Sequence, residues 1–449
     1  MPPRPFPTLS TPFCAALLLF WLVACGDAAP PPPAGGDALL PDLPDLSDDP
    51  LPDLDAADLD VADAPADTPV EDLEHLGERL FGLPVMHVEV DHDALLGLLS
   101  APQRRDSLPV SVRYDGRQYD DAELELHGGF ARTVPKRSFR LDFPDDERLW
   151  IAFGGAVEGH RTIVLQASWI DPTFQRNRVT FDSVRQLGGL APRATYAPLA
   201  FNGRFYGFYV VLERVDEVFL WRHALDRSGS MYKAENHAAN WAWRPDVLAG
   251  YAVPLHPERS PDDLDLLLRR VTNTPTDAVA FAREVEPVLE LDDVLTWQLV
   301  HSYAQNTDAF TKNYYLYHDR AALPGSPEDR FRVISWDADA TWGMNWDGTP
   351  LPSDRETWYG TDRFAPRLFA IATWRDRYLA RWSDALDGPL RAEILIGDVE
   401  RTHGSIGRLV ELDARIWPRG RGTEAEVDAL SESIAERHRR MRRVVDEVR

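Results

Sequence analysis

The chain has 449 residues, 44% hydrophobic and 10% aromatic, enough for one large or two modest domains with a sizeable core. Its formal net charge is −25, but 16 acids and no Lys or Arg fall within residues 26–78, so the acidity describes that segment and says little about partners of the rest. Only two cysteines occur, both in the first 25 residues, which excludes a disulfide framework for the folded region.

In chain order, the N-terminus carries Arg4, the apolar run FCAALLLFWLVA and then Cys25. The run falls short of the ~20 residues a membrane span needs and has the length of a signal-peptide core. Leu22-Val23-Ala24-Cys25 resembles a bacterial lipobox, whose cleavage leaves the cysteine as a lipid-bearing first residue. This predicts a protein of the bacterial cell envelope, membrane-anchored through Cys25; Gly26 rather than Asp after the cysteine favours the outer membrane by the same resemblance. An ordinary secretory signal cut near Ala24 is the alternative. Residues 26–78, with near-repeats such as PDLPDLSDDPLPDLDAADLD, read as an extended, self-repelling tether.

From residue 79 the pattern turns globular. VSVRYDGRQYDDAELEL alternates about Asp115-Gly116, which predicts a hairpin. The glycine-bearing loop HGGFARTVP leads into KRSFRLDF, where Phe139, Leu141 and Phe143 share one face and Lys136, Ser138, Arg140 and Asp142 the other. DPTFQRNRVTFDSVRQLGG predicts a helix over 172–187, capped by Asp171, with Phe174, Phe181, Val184 and Leu187 as its buried stripe and Gly188 at its end. APLAFNGRFYGFYVVLERVD is a second hairpin, turning at Asn202-Gly203. Residues 79–217 are therefore expected to form one antiparallel sheet with a helix against it. Residues 218–449 read as helical: Leu295, Leu299 and Tyr303 share a helix face, and the C-terminal segments are amphipathic. The basic end RHRRMRRVV suits salt bridges and helix-end contacts better than nucleic acid, which an acidic chain does not favour.

Two stretches of the second half carry chemistry, NTDAFTKNYYLYHD at 306–319 and RFRVISWDADATWG at 330–343. Both are β-rich, and the loop DRAALPGSPED separates them. Antiparallel pairing with residue numbers summing to about 650 puts Asn313 opposite Asp337 and gathers Asp308, Asn313, Asp337 and Asp339. Three acids and a carboxamide repel unless a cation sits among them. Mg²⁺ takes such oxygen ligands and shares its shell with phosphates, whereas zinc and copper fit poorly. The histidines show no zinc-like spacing, and no G-x-S-x-G supports acyl transfer. Trp336, Trp342 and Trp346 follow the second strand, as core beside the site or as a platform for sugar.

Asp308, four residues, Asn313 and then later acids is the order of the protein-kinase template. PKRSFRLDF, DPTFQRNRVTFDSVRQLGGLAP, FNGRFYGFYVVLERVD, NTDAFTKNYYLYHD and WDADATWG also fall in the order of the CotH family, which the chain resembles over residues 84–345. The resemblance implies an α+β, atypical protein-kinase-like bilobal fold with an antiparallel β-rich N-lobe and a mainly helical C-lobe. It implies binding of ATP with Mg²⁺ or Mn²⁺ and phosphorylation of Ser or Thr on a protein of the envelope or surface. It also implies that Lys136 pairs nucleotide phosphates and that Asp308 orients or deprotonates the acceptor hydroxyl. Asn313 and one or both of Asp337 and Asp339 would hold metal, and the segment from Glu213 to Asp216, with Glu213, Val215 and Asp216 named in it, would be the hinge beside adenine. The chain departs from the template in two places: HGGFART is not a full G-x-G-x-x-G, and the helix at 172–187 offers no glutamate to Lys136. A catalytically inactive adhesin or envelope-assembly module on the same fold is the alternative.

Overall fold

The computed structural model describes residues 76–306, 308–353, 363–418 and 423–448. The leader, Cys25 and the acidic segment through residue 75 lie outside the described residues. Two short strands, β1 (Arg79–Leu80) and β2 (Leu83–Pro84), precede β3 (Met86–Glu89) and helix α1 (His92–Ser100). Then come β4 (Ser107–Tyr114), β5 (Arg117–Leu126), β6 (Phe139–Asp142), the ribbon β7 (Leu149–Ala152) and β8 (Val157–His160), and β9 (Thr162–Gln166). Helix α2 (Arg176–Gln186) separates these from β10 (Ala194–Phe201) and β11 (Arg204–Glu213).

Both predicted hairpins form, and both turn on positive φ. Asp115 and Gly116 sit at 47° and 77°, Asn202 and Gly203 at 50° and 82°, the left-handed pair that a two-residue hairpin turn requires. The sheet does not stay open, however. Its strands run β10-β11-β9-β6-β5-β4-β3 and close into a barrel through a parallel pairing of β10 with β3, Leu199 opposite Met86. The closing strand is short and buried at Met86, His87 and Val88 alike, so it shows no alternation to read in sequence.

The barrel wall feeds two cores. Along β11, Tyr209 and Val211 point into the barrel interior with Phe139, Leu141, Ile163 and Leu165. Phe208, Val210 and Leu212 point outward into a second core with Phe181 and Val184 of α2. Helix α2 begins at Arg176, later than the pattern predicts, because Asp171 forms its own turn: it accepts from the N–H groups of Thr173 and Arg176, at 3.1 and 2.8 Å.

The second half holds α3 (Glu217–Arg222), β12 (Ser230–Ala234), β13 (Tyr251–Leu255), α4 (Asp262–Asn273), α5 (Ala278–Glu284) and α6 (Leu291–Tyr303). It continues with β14 (Tyr314–His318), β15 (Arg332–Ser335), α7 (Ala365–Phe369), α8 (Ala372–Asp387), α9 (Ala392–Ile416) and α10 (Thr423–Val448). The chain is thus a mixed α+β fold. The sequence pattern predicts one strand pair here; the sheet has four strands in the order β13-β12-β14-β15. Tyr314 lies opposite Ser335, so the residue numbers sum one lower than expected. The indole of Trp241 stacks on Tyr314 at 5.4 Å and anchors a third core under this sheet.

Leu395, Val399, Ile406, Leu409 and Val410 of α9 join the core outside the barrel, with Leu430 and Ile434 of α10. The basic C-terminal helix makes helix-end contacts: the buried Arg437 donates to the carbonyls of Ser302 and Tyr303 at the C-terminus of α6. No helix among the described residues is long and apolar enough to cross a membrane.

One predicted site residue belongs to this framework. The chain bends at Lys136 before β6 begins, which turns the side chain away from the face shared by Ser138 and Arg140. Lys136 is 0% exposed, its ammonium 2.6 Å from Asp413 Oδ1 of α9 and bonded to the Phe208 carbonyl, with the rings of Phe174 and Tyr209 beside it. Asp413 also accepts from the Phe208 N–H at 2.7 Å. Gly207 permits this approach, because a Cβ there would stand 2.9 Å from both Asp413 Oδ1 and Lys136 Cε. The acidic partner that α2 lacks is thus supplied by α9, and the pair clamps the barrel to the C-terminal helices. Breaking a buried pair strands one charge, so Lys136→Ala is expected to cost about 3–5 kcal/mol. The double change Lys136→Met with Asp413→Leu recovers most of it. Denaturant unfolding measures both, and an unshifted midpoint for Lys136→Ala would contradict the clamp.

Candidate functional site

A cavity of about 550 Å³ lies between the barrel strands β6, β9 and β11 and the edge of the second sheet, roofed by the glycine-bearing loop. The structure brings Asp308, Asn313, Asp337 and Asp339 to it. Two of them sit where the backbone leaves a strand in the left-handed region: Asn313 at φ 60° before β14, and Asp337 at φ 52° after β15. The Asn313 N–H continues the ladder to the Ala234 carbonyl at 2.9 Å, which ties this end of β14 to β12.

Asn306 braces the two acidic stretches. Its Oδ1 accepts the Asp308 N–H at 3.1 Å, and its Nδ2 donates to the Asp337 carbonyl at 3.3 Å and to His301 Nδ1 at 3.1 Å. Since Nδ1 accepts, the His301 proton lies on Nε2 and donates to Ser335 Oγ at 3.1 Å. Burial pushes His301 down to about 3, so the ring is neutral. Lys312 bonds the Asp308 carboxylate at 2.9 Å.

Helix α2 braces the other side. Asn177 Oδ1 accepts the Ala338 N–H at 2.7 Å, Asn177 Nδ2 donates to Gln166 Oε1, and Gln166 Nε2 donates to Asp339 Oδ2 at 3.0 Å. Arg176 donates to the Thr341 carbonyl at 3.0 Å, and the Trp342 indole to Thr180 at 3.0 Å. Trp336 and Trp342 are buried core; Trp346 is half-exposed and meets Phe130 of the glycine-bearing loop edge-on at the rim, 5.9 Å between centroids.

The acids crowd one another. Burial, then the nearby Asp308, raises the pKa of Asp337; burial, then Asp337 and Asp171, raises that of Asp339 well above the carboxylate range. Cations line the same cavity: Arg140 of β6, paired with Glu125 and Asp142, Arg214 after β11, Lys233 of β12, paired with Glu235, and Lys312 beside Asp308. Burial, then Arg214, Lys233, Arg140 and Arg132, pushes the pKa of His127 far down, which marks a converging positive field. Acids and cations around one cavity suit a polyanion and the cation that accompanies it. Among the described residues no three His, Cys, Asp or Glu form a ready ligand cluster. The oxygens of Asp308, Asn313, Asp337 and Asp339 are of the hard kind that Mg²⁺ or Mn²⁺ takes, and a metal there would need phosphate and water oxygens to complete its shell.

Other predicted positions fall elsewhere. Lys136 does not line the cavity, because its amine is spent on Asp413. Neither do the side chains of Glu213, Val215 and Asp216. Along the extended chain, Leu212 and Arg214 face the cavity and the alternate residues face away. Glu213 is buried between Arg193 and Arg222, at 3.1 and 2.5 Å, and Asp216 caps α3 through the N–H groups of Val218 and Phe219. Burial raises Asp216 to about 6. Arg214 falls inside the expected hinge segment, whereas Arg140, Gln166, Asn177, Lys233 and Lys312 carry no motif that marks them as site residues. Strand parity signals Arg140, which shares the face of Ser138; the others depend on contacts distant in sequence.

The model of the CotH kinase protein family matches residues 124–441, and the chain belongs to that family. It is similar to the inner spore coat protein H of Bacillus subtilis (strain 168), 28% identical over 281 residues, covering 61% of this chain and 73% of that protein. Among solved structures, the Shewanella oneidensis MR-1 complex of the toxin-antitoxin proteins HipA and HipB with operator DNA matches at a TM-score of 0.28 and 15% identity. That match covers 70% of this chain and 65% of the other, a likeness too slight to bear on the fold.

The crowding of Asp339 has a measurable consequence. An acid whose folded pKa is raised above its unfolded value near 4 contributes stability only while protonated, and loses it as pH rises through the folded pKa. Without divalent metal, Asp339→Asn is expected to stabilise the protein at pH 7 by about 1 kcal/mol and to flatten the fall in stability above pH 4. Thermal unfolding in chelator from pH 4 to 8 reads this; a lower midpoint for Asp339→Asn at pH 7 would refute it.

Proposed function

We propose that the chain is a protein kinase of the CotH family that transfers the γ-phosphate of ATP to a Ser or Thr hydroxyl of an envelope or surface protein. The observation that carries the reading is that one cavity is lined both by Asp308, Asn313, Asp337 and Asp339 and by Arg140, Arg214 and Lys233. In this reading the barrel half and the helical half act as two lobes around the nucleotide. Spore-coat relationship and the lipobox at Cys25 together support a lipid-anchored protein of the cell envelope.

Each residue then has a stated task. Asp337, Asp339 and Asn313 would hold Mg²⁺ or Mn²⁺, which would supply neutralisation of phosphate charge. Arg140 and Lys233 take phosphate oxygens, the part that motif order assigns to Lys136. Leu212 and Arg214 border the adenine. Asp308 accepts the proton of the acceptor hydroxyl as its oxygen bonds to the γ-phosphorus and ADP leaves. Lys312, 2.9 Å from the Asp308 carboxylate, supplies positive charge beside the transferring group. Positioning and electrostatics do the work, as in phosphoryl transfer generally.

The test is transfer of label from ATP with Mg²⁺, to the chain itself and to a Ser/Thr peptide library, by the full protein in mild detergent. Asp308→Ala and Asp337→Ala are each expected to lower the rate at least ~100-fold, and Arg140→Gln to raise KM for ATP. Equal labelling by all variants would sink the assignment. No labelling by the unmodified chain would favour a binding module on the same fold.

A further inference from the structure

The chain has no glutamate on α2 to report the helix's position to the nucleotide site, yet α2 reaches the acids by another route. Asn177 stands in the first turn of α2 and is 2% exposed. Its orientation is set by a group that cannot flip: the Ala338 backbone N–H donates to its Oδ1 at 2.7 Å. Nδ2 must then face Gln166 Oε1, to which it donates. Gln166, on β9 of the barrel, is left with Nε2 outward, and that nitrogen donates to Asp339 Oδ2 at 3.0 Å. A backbone N–H thus fixes the polarity of two carboxamides in series, and the series ends on an acid of the cavity.

We propose that Asn177 and Gln166 are positioning residues, a carboxamide relay through which α2 and β9 aim the Asp339 carboxylate at the metal that accompanies the phosphates. The inference rests on the kinase reading for the role of Asp339. The relay engages one oxygen and sets the carboxylate plane, which fixes the direction of the other. It also couples two elements: a shift of α2 against the barrel breaks the Asn177–Gln166 bond and releases Asp339. The Arg176 bond to Thr341 moves with the same helix turn, so the whole acid-bearing loop follows α2. Outer partners of this kind change metal affinity by about 10–100-fold when altered.

Asn177→Asp is the informative variant. It keeps the shape and the acceptor for Ala338, but it cannot donate to Gln166, so Gln166 turns and presents its oxygen to Asp339. Gln166→Leu cuts the relay on the barrel side and carries the test if the first variant does not fold. The probe is Mn²⁺ binding to the full chain in the presence of ATP, followed by electron paramagnetic resonance, beside kcat and KM for ATP. Expected is a loss of Mn²⁺ affinity of about tenfold or more in both variants, with kcat falling and KM for ATP changing less than about twofold. Mn²⁺ affinity unchanged from the unmodified chain in a folded variant would overturn the relay. Mn²⁺ binding that responds to the variants in a chain that transfers no phosphate would support the relay while overturning the kinase reading. No Mn²⁺ binding by the unmodified chain with ATP would overturn both.

Discussion

Asp337 and Asp339 stand two residues apart on one turn, both lining the cavity, and much of the surrounding structure answers their repulsion. Solvent would screen two such acids on a surface; here burial and proximity raise the pKa of each. The fold holds them with side-chain amides from separate elements: Asn306 donates to the turn's Asp337 carbonyl, Asn177 accepts its Ala338 N–H, and Gln166 donates to the Asp339 carboxylate. Asp337 itself takes a left-handed backbone, a conformation that β-branched residues avoid and Asp tolerates. Stability is given up at this point, and the cores on either side of the barrel wall make the loss bearable.

The clamp at Lys136 shows how that framework is kept rigid. A lysine with no water contact needs a full set of partners, and it receives a carboxylate, a carbonyl and two ring faces. Those partners come from α9, β11 and the approach to α2, which puts the barrel, the bracing helix and the C-terminal helices under one constraint. The barrel strand that carries Arg140 into the cavity starts three residues after Lys136. The clamp at Lys136 therefore lies at the start of the strand that carries Arg140 to the cavity.

Much of this was legible in sequence where the signal is local. The two hairpins could be read because Asp-Gly and Asn-Gly pairs encode positive φ at adjacent residues, and the acidic hairpin came within one residue of its register. What failed was parity and context. A hinge assigned as a segment does not say which residues face inward, and alternation hands the cavity to Leu212 and Arg214 instead of Glu213 and Val215. Lys136 and Arg140 share a strand face on paper; a bend at 136 separates them. Strands β12 and β13 are short, and the register of β12 on β13 shifts, so their pattern is broken before it can be counted. Asn177 and Gln166 carry no motif at all, because their meaning lies in a contact between a helix, a barrel strand and a loop far along the chain.

The family relation sharpens that last difference. A motif order is inherited along the chain, whereas a phosphate or a metal is bound in space, and the two can part company where the backbone bends. In this chain the acids kept their order and their place together, since a hairpin carries both through one short-range constraint. The basic partner did not: the lysine at the expected position turned into the core, and Arg140, Arg214 and Lys233 face the acids from three separate strands or their ends. Residues tied to a local turn can be placed from their order in the chain alone. Residues whose direction depends on how two halves of a fold pack must be located in the structure before a role is assigned to them.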